Sequence, residues 1–149
     1  MRAYVCAGAG FLLAVLWFDL MHDVQVLRPD AAVDATEAVR SIARYYQRVT
    51  TDARPMNRLV ALVMVATLAA IVIELLRGDV PAWAAWTSLV LAASAISVAA
   101  VRTVKNAVAL GADVDSITPA HGAVARAVGR DHLFCLCAMA GVLIVQLAA

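Results

Sequence analysis

Apolar residues in this chain do not alternate with polar ones. They fall into four long blocks, Ala3–Phe18, Leu59–Ile73, Ala82–Val101 and Leu133–Ala149. A helix rises about 1.5 Å per residue and needs around 20 residues, or about 17 at the short end, to cross the hydrocarbon of a bilayer. The blocks therefore predict four transmembrane helices over residues 3–20, 57–76, 82–103 and 132–148. Glu74 is expected at the interfacial end of the second, near Arg77. Arg2 and the first block look like a signal peptide, but no small-x-small cleavage site precedes Asp19 and three more spans follow, so a retained span is expected.

Between the first two blocks the pattern changes. After Asp30, an expected N-cap, Ala32, Ala35, Val39, Ile42, Tyr46 and Val49 recur at steps of three and four, while Arg40, Arg44 and Arg48 share the opposite side. This predicts an amphipathic helix over residues 31–50 that lies in the headgroup region or packs across the inner end of the bundle. Its basic face can meet anionic lipid or an acidic partner. Pro55 and Pro81 suit first helical turns, and Gly111 suits a stop after a third helix running to Leu110. Thr118-Pro119 suits the start of another helix leading into the fourth span. Small residues four apart, Ala66/Ala70, Ala93/Ser97, Ala95/Ala99 and Cys137/Gly141, are candidates for close helix contact in lipid.

Composition sharpens this picture. Of 149 residues, 64% are hydrophobic and 15% charged, with a mean hydropathy of +0.84. Soluble domains average about 45–50% apolar and about 25% charged. The fold class that follows is all-α, a single four-span membrane bundle with an extra amphipathic helix between spans one and two. A net charge of +1 gives no basic field for nucleic acid. Basic residues beside spans are held in the cytoplasm. Ten of the twelve Lys and Arg residues lie in the two long loops, and only Arg2 and Arg77 lie on the other side. Both termini are thus expected outside, in the plasma membrane of a bacterium. Cys6, Cys135 and Cys137 form no Cys-x-x-Cys pair and read as buried small apolar groups.

The candidate chemistry lies at the inner end. "WFDLMHD" (residues 17–23) closes the first span, and Asp19, His22 and Asp23 follow i, i+3, i+4, the spacing of one helical face. At the same depth stand Asn57 and Arg58, then Arg102, Lys105 and Asn106, then Arg130, Asp131 and His132. Three readings are open. In the first, the aspartates pair with Arg58, Arg102 or Arg130 as a salt-bridge layer at the helix ends. In the second, carboxylates and imidazoles hold a metal, although no His-Glu-x-x-His spacing occurs. In the third, the band is a metal-free pocket. There His22 and His132, with Asp19, Asp23 and Asp131, are the candidate catalytic groups, and Arg102, Asn106 and Arg130 the candidate substrate-binding groups. His121 is expected in a loop or first turn, away from the band. No motif names a cofactor, and no glycine-rich phosphate loop or nucleophile elbow occurs.

The segments "VRTVKNAVALG" (101–111) and "GRDHLFCLCAMAGVLIVQL" (129–147) resemble the small four-span bacterial proteins grouped with anthrone oxygenases. That resemblance implies Asn106, Arg130 and His132 as matching positions, and cofactor-independent oxygenation of a polycyclic phenol. The acidic "WFDLMHD" departs from that pattern. The leading expectation is a small membrane pocket protein, oxygenase-like, acting on a lipophilic small molecule drawn from the membrane lipid. The alternative is a non-catalytic accessory or assembly subunit packed against a larger membrane complex or another copy of itself.

Overall fold

The computed structural model describes residues 1–27 and 35–149. Arg28, Asp30 and Ala32, with the expected N-cap and start of the amphipathic helix, lie outside the described residues. Six α-helices follow in order: α1 (Arg2–Leu27), α2 (Ala35–Gln47), α3 (Arg54–Arg77), α4 (Ala82–Val98), α5 (Val104–Ala112) and α6 (Pro119–Ala148). Two five-residue π-helical segments interrupt them, Arg48–Asp52 after α2 and Ala99–Thr103 between α4 and α5. The described residues contain no strand. Four helical stretches, Arg2–Leu27, Pro55–Arg77, Ala82–Ala112 and Pro119–Ala148, are long and apolar enough to cross a membrane. The chain is an all-helical, multi-pass membrane protein.

Local chemistry sets the ends of these helices. Gly78 takes a left-handed conformation (φ 66°) that closes α3, and the N–H of Asp79 returns to the Glu74 carbonyl. Pro81 then leads into α4. At the start of α6, the Thr118 side chain and the His121 ring cap each other's backbone, so His121 is a first-turn residue. His121 Nε2 also lies 3.2 Å from Asp113.

α6 runs through the middle of the bundle against α1, α4 and α5. Val5, Ala9 and Leu12 of α1 meet Ala70 and Ile71 of α3, Ala92 and Ala95 of α4, and Cys135, Ala138, Met139 and Val142 of α6. α2 lies across one end, with Val39, Ile42, Ala43 and Tyr46 buried on Val26, Leu110, Ala125 and Val128. Arg44 and Arg48 face outward, and Arg40 pairs with Glu37 at 2.8 Å. Trp17, Trp83 and Trp86 are exposed, as interfacial aromatics are.

Three expectations need correction. Of the four small-residue pairs, only Ala95/Ala99 is buried at both positions; Ala66, Ser97 and Cys137 are exposed. Spacing alone does not say which flank of a helix meets protein and which meets lipid. Gly111 does not stop a helix. It lies within α5, where an added Cβ would stand 2.7 Å from the Gln47 backbone nitrogen, so its lack of a side chain lets α2 and α5 touch. Glu74, near the end of α3, turns into the bundle and not towards the surface. It is 0% exposed, and Gln146 Nε2 donates to it at 2.8 Å and to Ser88 Oγ at 3.1 Å. These three residues join α3, α4 and α6, because a polar group facing protein in lipid finds a partner on a neighbouring helix.

Gly111→Ala forces α2 away from α5, since a backbone atom cannot turn aside as a flexible side chain can. The expected loss is about 1–3 kcal/mol, read as a lower thermal midpoint of the purified protein. An unchanged midpoint would show that the two helices have room to spare.

Candidate functional site

Where α2 covers the bundle, α1 and α6 bring three ionisable side chains together. His132 Nδ1 and Asp23 Oδ2 are 2.7 Å apart. A carboxylate has only lone pairs to offer, so Nδ1 carries the proton and donates. Asp23 Oδ1 accepts from the Tyr46 hydroxyl, also at 2.7 Å. On the other side of the imidazole, His132 Nε2 lies 3.8 Å from Asp19 Oδ2, close enough for charges to interact but too far for a hydrogen bond. Asp19 Oδ1 accepts from Tyr45 at 2.7 Å. Two carboxylate–tyrosine pairs thus flank one histidine. Asp23, Tyr46 and His132 are buried, and Asp19 and Tyr45 half-buried.

Burial, and then the neighbouring Asp19, raise the Tyr45 phenol above its ordinary value. Burial and then Asp23 do the same for Tyr46. Both hydroxyls therefore stay protonated and act as donors to the carboxylates at any ordinary pH.

Asp131 has turned to another partner. Arg102 holds it through Nε to Oδ2 at 2.8 Å and through a second, bidentate contact to Oδ1, and the Thr103 hydroxyl donates to Oδ2 at 3.2 Å. Both donors belong to the π-helical segment Ala99–Thr103. One extra residue in that turn lets consecutive side chains, Arg102 and Thr103, reach the same carboxylate.

The remaining candidates stand apart. His22 lies at the edge of the face that carries Asp19 and Asp23, outside the hydrogen-bonded cluster. Consecutive residues are about 100° apart on a helix, so as Asp23 turns to α6, His22 sits to one side, against Tyr45. It is half-buried, with Nδ1 3.1 Å from the Phe18 carbonyl and its ring stacked on Tyr45 at 3.8 Å. The same rotation turns Arg130 outward while Asp131 and His132 are buried. Asn106 is half-buried and outside the cluster. The expected salt-bridge layer holds only for Asp131 with Arg102; Asp19 and Asp23 meet tyrosine and histidine instead of arginine. Among the described residues, no three His, Cys, Asp or Glu side chains are placed to hold a metal ion.

Sequence reasoning missed Tyr45 and Thr103 and took Tyr46 for a purely apolar position. The available signal was the pair of adjacent tyrosines on a helix covering a bundle end. A tyrosine with a buried ring usually finds a partner for its hydroxyl.

Beside the cluster is a cleft of about 680 Å³. The N-terminal half of α3, around Met56, Ala61 and Met64, stands away from Ile96, Val104 and Val108 of α4 and α5. Its walls are almost wholly apolar. Asp19, Tyr45 and His132 reach it from one end, and Thr50, Asn57 and Arg58 border it. Both π-helical segments contribute to its lining, through Val49 and Thr50 and through Ala99 and Thr103.

A family model described as SHR3 chaperone, ER membrane protein SH3, matches residues 1–149. The chain belongs to this family. No curated protein and no solved structure matches it. Membership overturns the likeness to anthrone oxygenases, which rested on two short segments covering about a fifth of the chain. Short apolar segments with one or two polar residues at a helix end recur in unrelated membrane bundles, whereas the SHR3 match spans all four blocks. The family description also names an ER membrane protein, at odds with a bacterial plasma membrane.

Tyr46→Phe leaves Asp23 Oδ1 without its donor in a buried place, an expected loss of about 1–3 kcal/mol at neutral pH. The raised phenols favour the folded state below the ordinary tyrosine value of about 10. Above it the unfolded chain ionises first, so stability falls as pH rises towards the folded-state values. Thermal midpoints from pH 7 to 11 should therefore fall above pH 10 in the parent and fall less in Tyr46→Phe. Parallel curves would deny Tyr46 its part in the alkaline loss.

Proposed function

We propose that this protein is an accessory factor of the endoplasmic reticulum membrane that helps other multispanning proteins fold or assemble. The family match over residues 1–149 carries this reading, since the description names both a chaperone and an ER membrane protein. The architecture is compatible with it. The described mass is helices within or against the bilayer, so the surfaces available to a partner are mostly membrane-facing. α3 packs on α1 and α4 and leaves a broad apolar flank open, with Leu62 and Val65 64% and 65% exposed. A partner's apolar helix could rest there before it finds its own neighbours.

Within the same proposal, the Lys and Arg bias puts both long loops, α2 and the polar cluster on the cytosolic side, and both termini in the lumen. A glycosylation acceptor appended after Ala149 should then be modified. An unmodified acceptor there, with one inserted between α2 and α3 modified instead, would invert the assignment.

The function is tested by removing the protein from cells that make it. A subset of multispanning proteins should fall at least several-fold in assembled form and accumulate in the endoplasmic reticulum, with unchanged transcripts. A membrane proteome of normal composition and normal distribution would overturn the accessory reading.

A further inference from the structure

We propose that the cleft between α3 and α4–α5 is a binding site for a membrane-partitioned amphiphile, one apolar chain ending in a primary ammonium group, and that Asp19 and His132 bind this head. The proposal goes beyond the accessory role and does not depend on it.

Volume decides the size of the occupant. The cleft measures about 680 Å³, inside the range of about 300–1,000 Å³ that holds small molecules. Ten residues of α-helix, about 15 Å long and about 10–12 Å across with side chains, occupy roughly 1,200–1,700 Å³, about twice the cleft. The walls, from Leu12, Leu16, Met64, Ile96 and Met139, suit a hydrocarbon chain entering sideways from lipid.

The polar end decides the head. Asp19 Oδ1 is taken by Tyr45, but Oδ2 accepts no hydrogen bond among the described residues. His132 commits Nδ1 to Asp23, which leaves Nε2 as an acceptor when the ring is neutral. These two atoms lie 3.8 Å apart on residues that both line the cleft. A nitrogen donor about 2.9 Å from each would bridge them at normal hydrogen-bond length. An ammonium supplies the several N–H bonds required and a positive charge. With both carboxylates ionised, Asp19 and Asp23 bring −2 to the cluster and His132 at most +1, so the end of the cleft is negative in either state of the ring. The Arg102 charge is spent on Asp131. Among the described residues, Arg58, exposed at the rim, is the one permanently charged cation lining the cleft, and it disfavours an amine that stops short of Asp19.

The test uses the full-length protein in nanodiscs of phosphatidylcholine and a radiolabelled sixteen-carbon primary amine, with protein-free discs as the background. Saturable binding at one amine per chain is expected, displaced by unlabelled amine and at least about tenfold less well by the alcohol or carboxylate of the same length. Asp19→Asn should weaken binding by about tenfold or more, as loss of a charge-assisted hydrogen bond does. Because that change also touches Tyr45, Ala61→Trp serves as the second variant. It fills the cleft from an exposed position on α3, leaves Asp19 in place and should abolish binding at an unchanged thermal midpoint.

Equal displacement by all three heads would overturn the proposal. So would a preference for the carboxylate, which would make Arg58 the anchor. Binding of a lysine-bearing transmembrane peptide without binding of the amine would do the same, since the partner would then be a protein helix. None of these outcomes alters the assembly of multispanning proteins in cells, so the accessory reading can survive when this one falls.

Discussion

His132 holds the covered end of the bundle together, and the rest of that end is arranged to satisfy it. In lipid a polar side chain that faces protein has no water to turn to, and each unmet group costs several kcal/mol. The imidazole on α6 is met by Asp23 on α1, and Asp23 by Tyr46 on α2. The first two helices and the last are thereby held in one register. The second face of the ring looks towards Asp19, which Tyr45 steadies in turn. α2 is therefore more than an amphipathic helix resting on a membrane. Its two tyrosines are the donors that let two carboxylates sit side by side at this depth.

That arrangement also explains the open space beside it. α2 is drawn towards α1, α5 and α6, and the π-helical turn after it carries the chain over to the start of α3. α3 is then held along α1 and α4 without reaching α5. The second π-helical turn re-aims Arg102 and Thr103 at Asp131 and leaves Ala99 on the cleft wall. Irregular turns in both bordering segments keep the N-terminal half of α3 apart from α4 and α5. An apolar cleft with a polar end is what remains.

The opposite end of the bundle solves the same problem in another way. Glu74, Gln146 and Ser88 meet on three helices, and among the described residues Glu74 Oε1 and Gln146 Oε1 accept no hydrogen bond. Two polar clusters, one at Asp131 and His132 midway along α6 and one at Gln146 near its C-terminus, bracket a core made mostly of alanine, valine, leucine and methionine. Much of that core is small side chains, which favour close packing between helices where lipid supplies no hydrophobic drive for association.

Four spans, a covering helix and a polar band at one level were legible in the sequence, because they depend on two local quantities. A run of about 20 apolar residues sets span length, and a three-and-four recurrence sets an amphipathic face. The residues of the band were legible as a set, and His132, Asp19 and Asp23 do meet. Their pairing was not. Whether Asp23 finds Arg58 or Tyr46, or whether His22 or His132 turns inward, depends on the azimuth of each helix about its axis. A rotation of about 100°, the step of one residue, exchanges a buried group for an exposed one. Azimuth is set by packing between distant segments, such as the contact that Gly111 allows between α2 and α5. The sequence by itself determined which residues lie at which depth. Only the tertiary structure decided which of them face each other, because in a bundle depth follows from counting along one helix, whereas facing requires at least two.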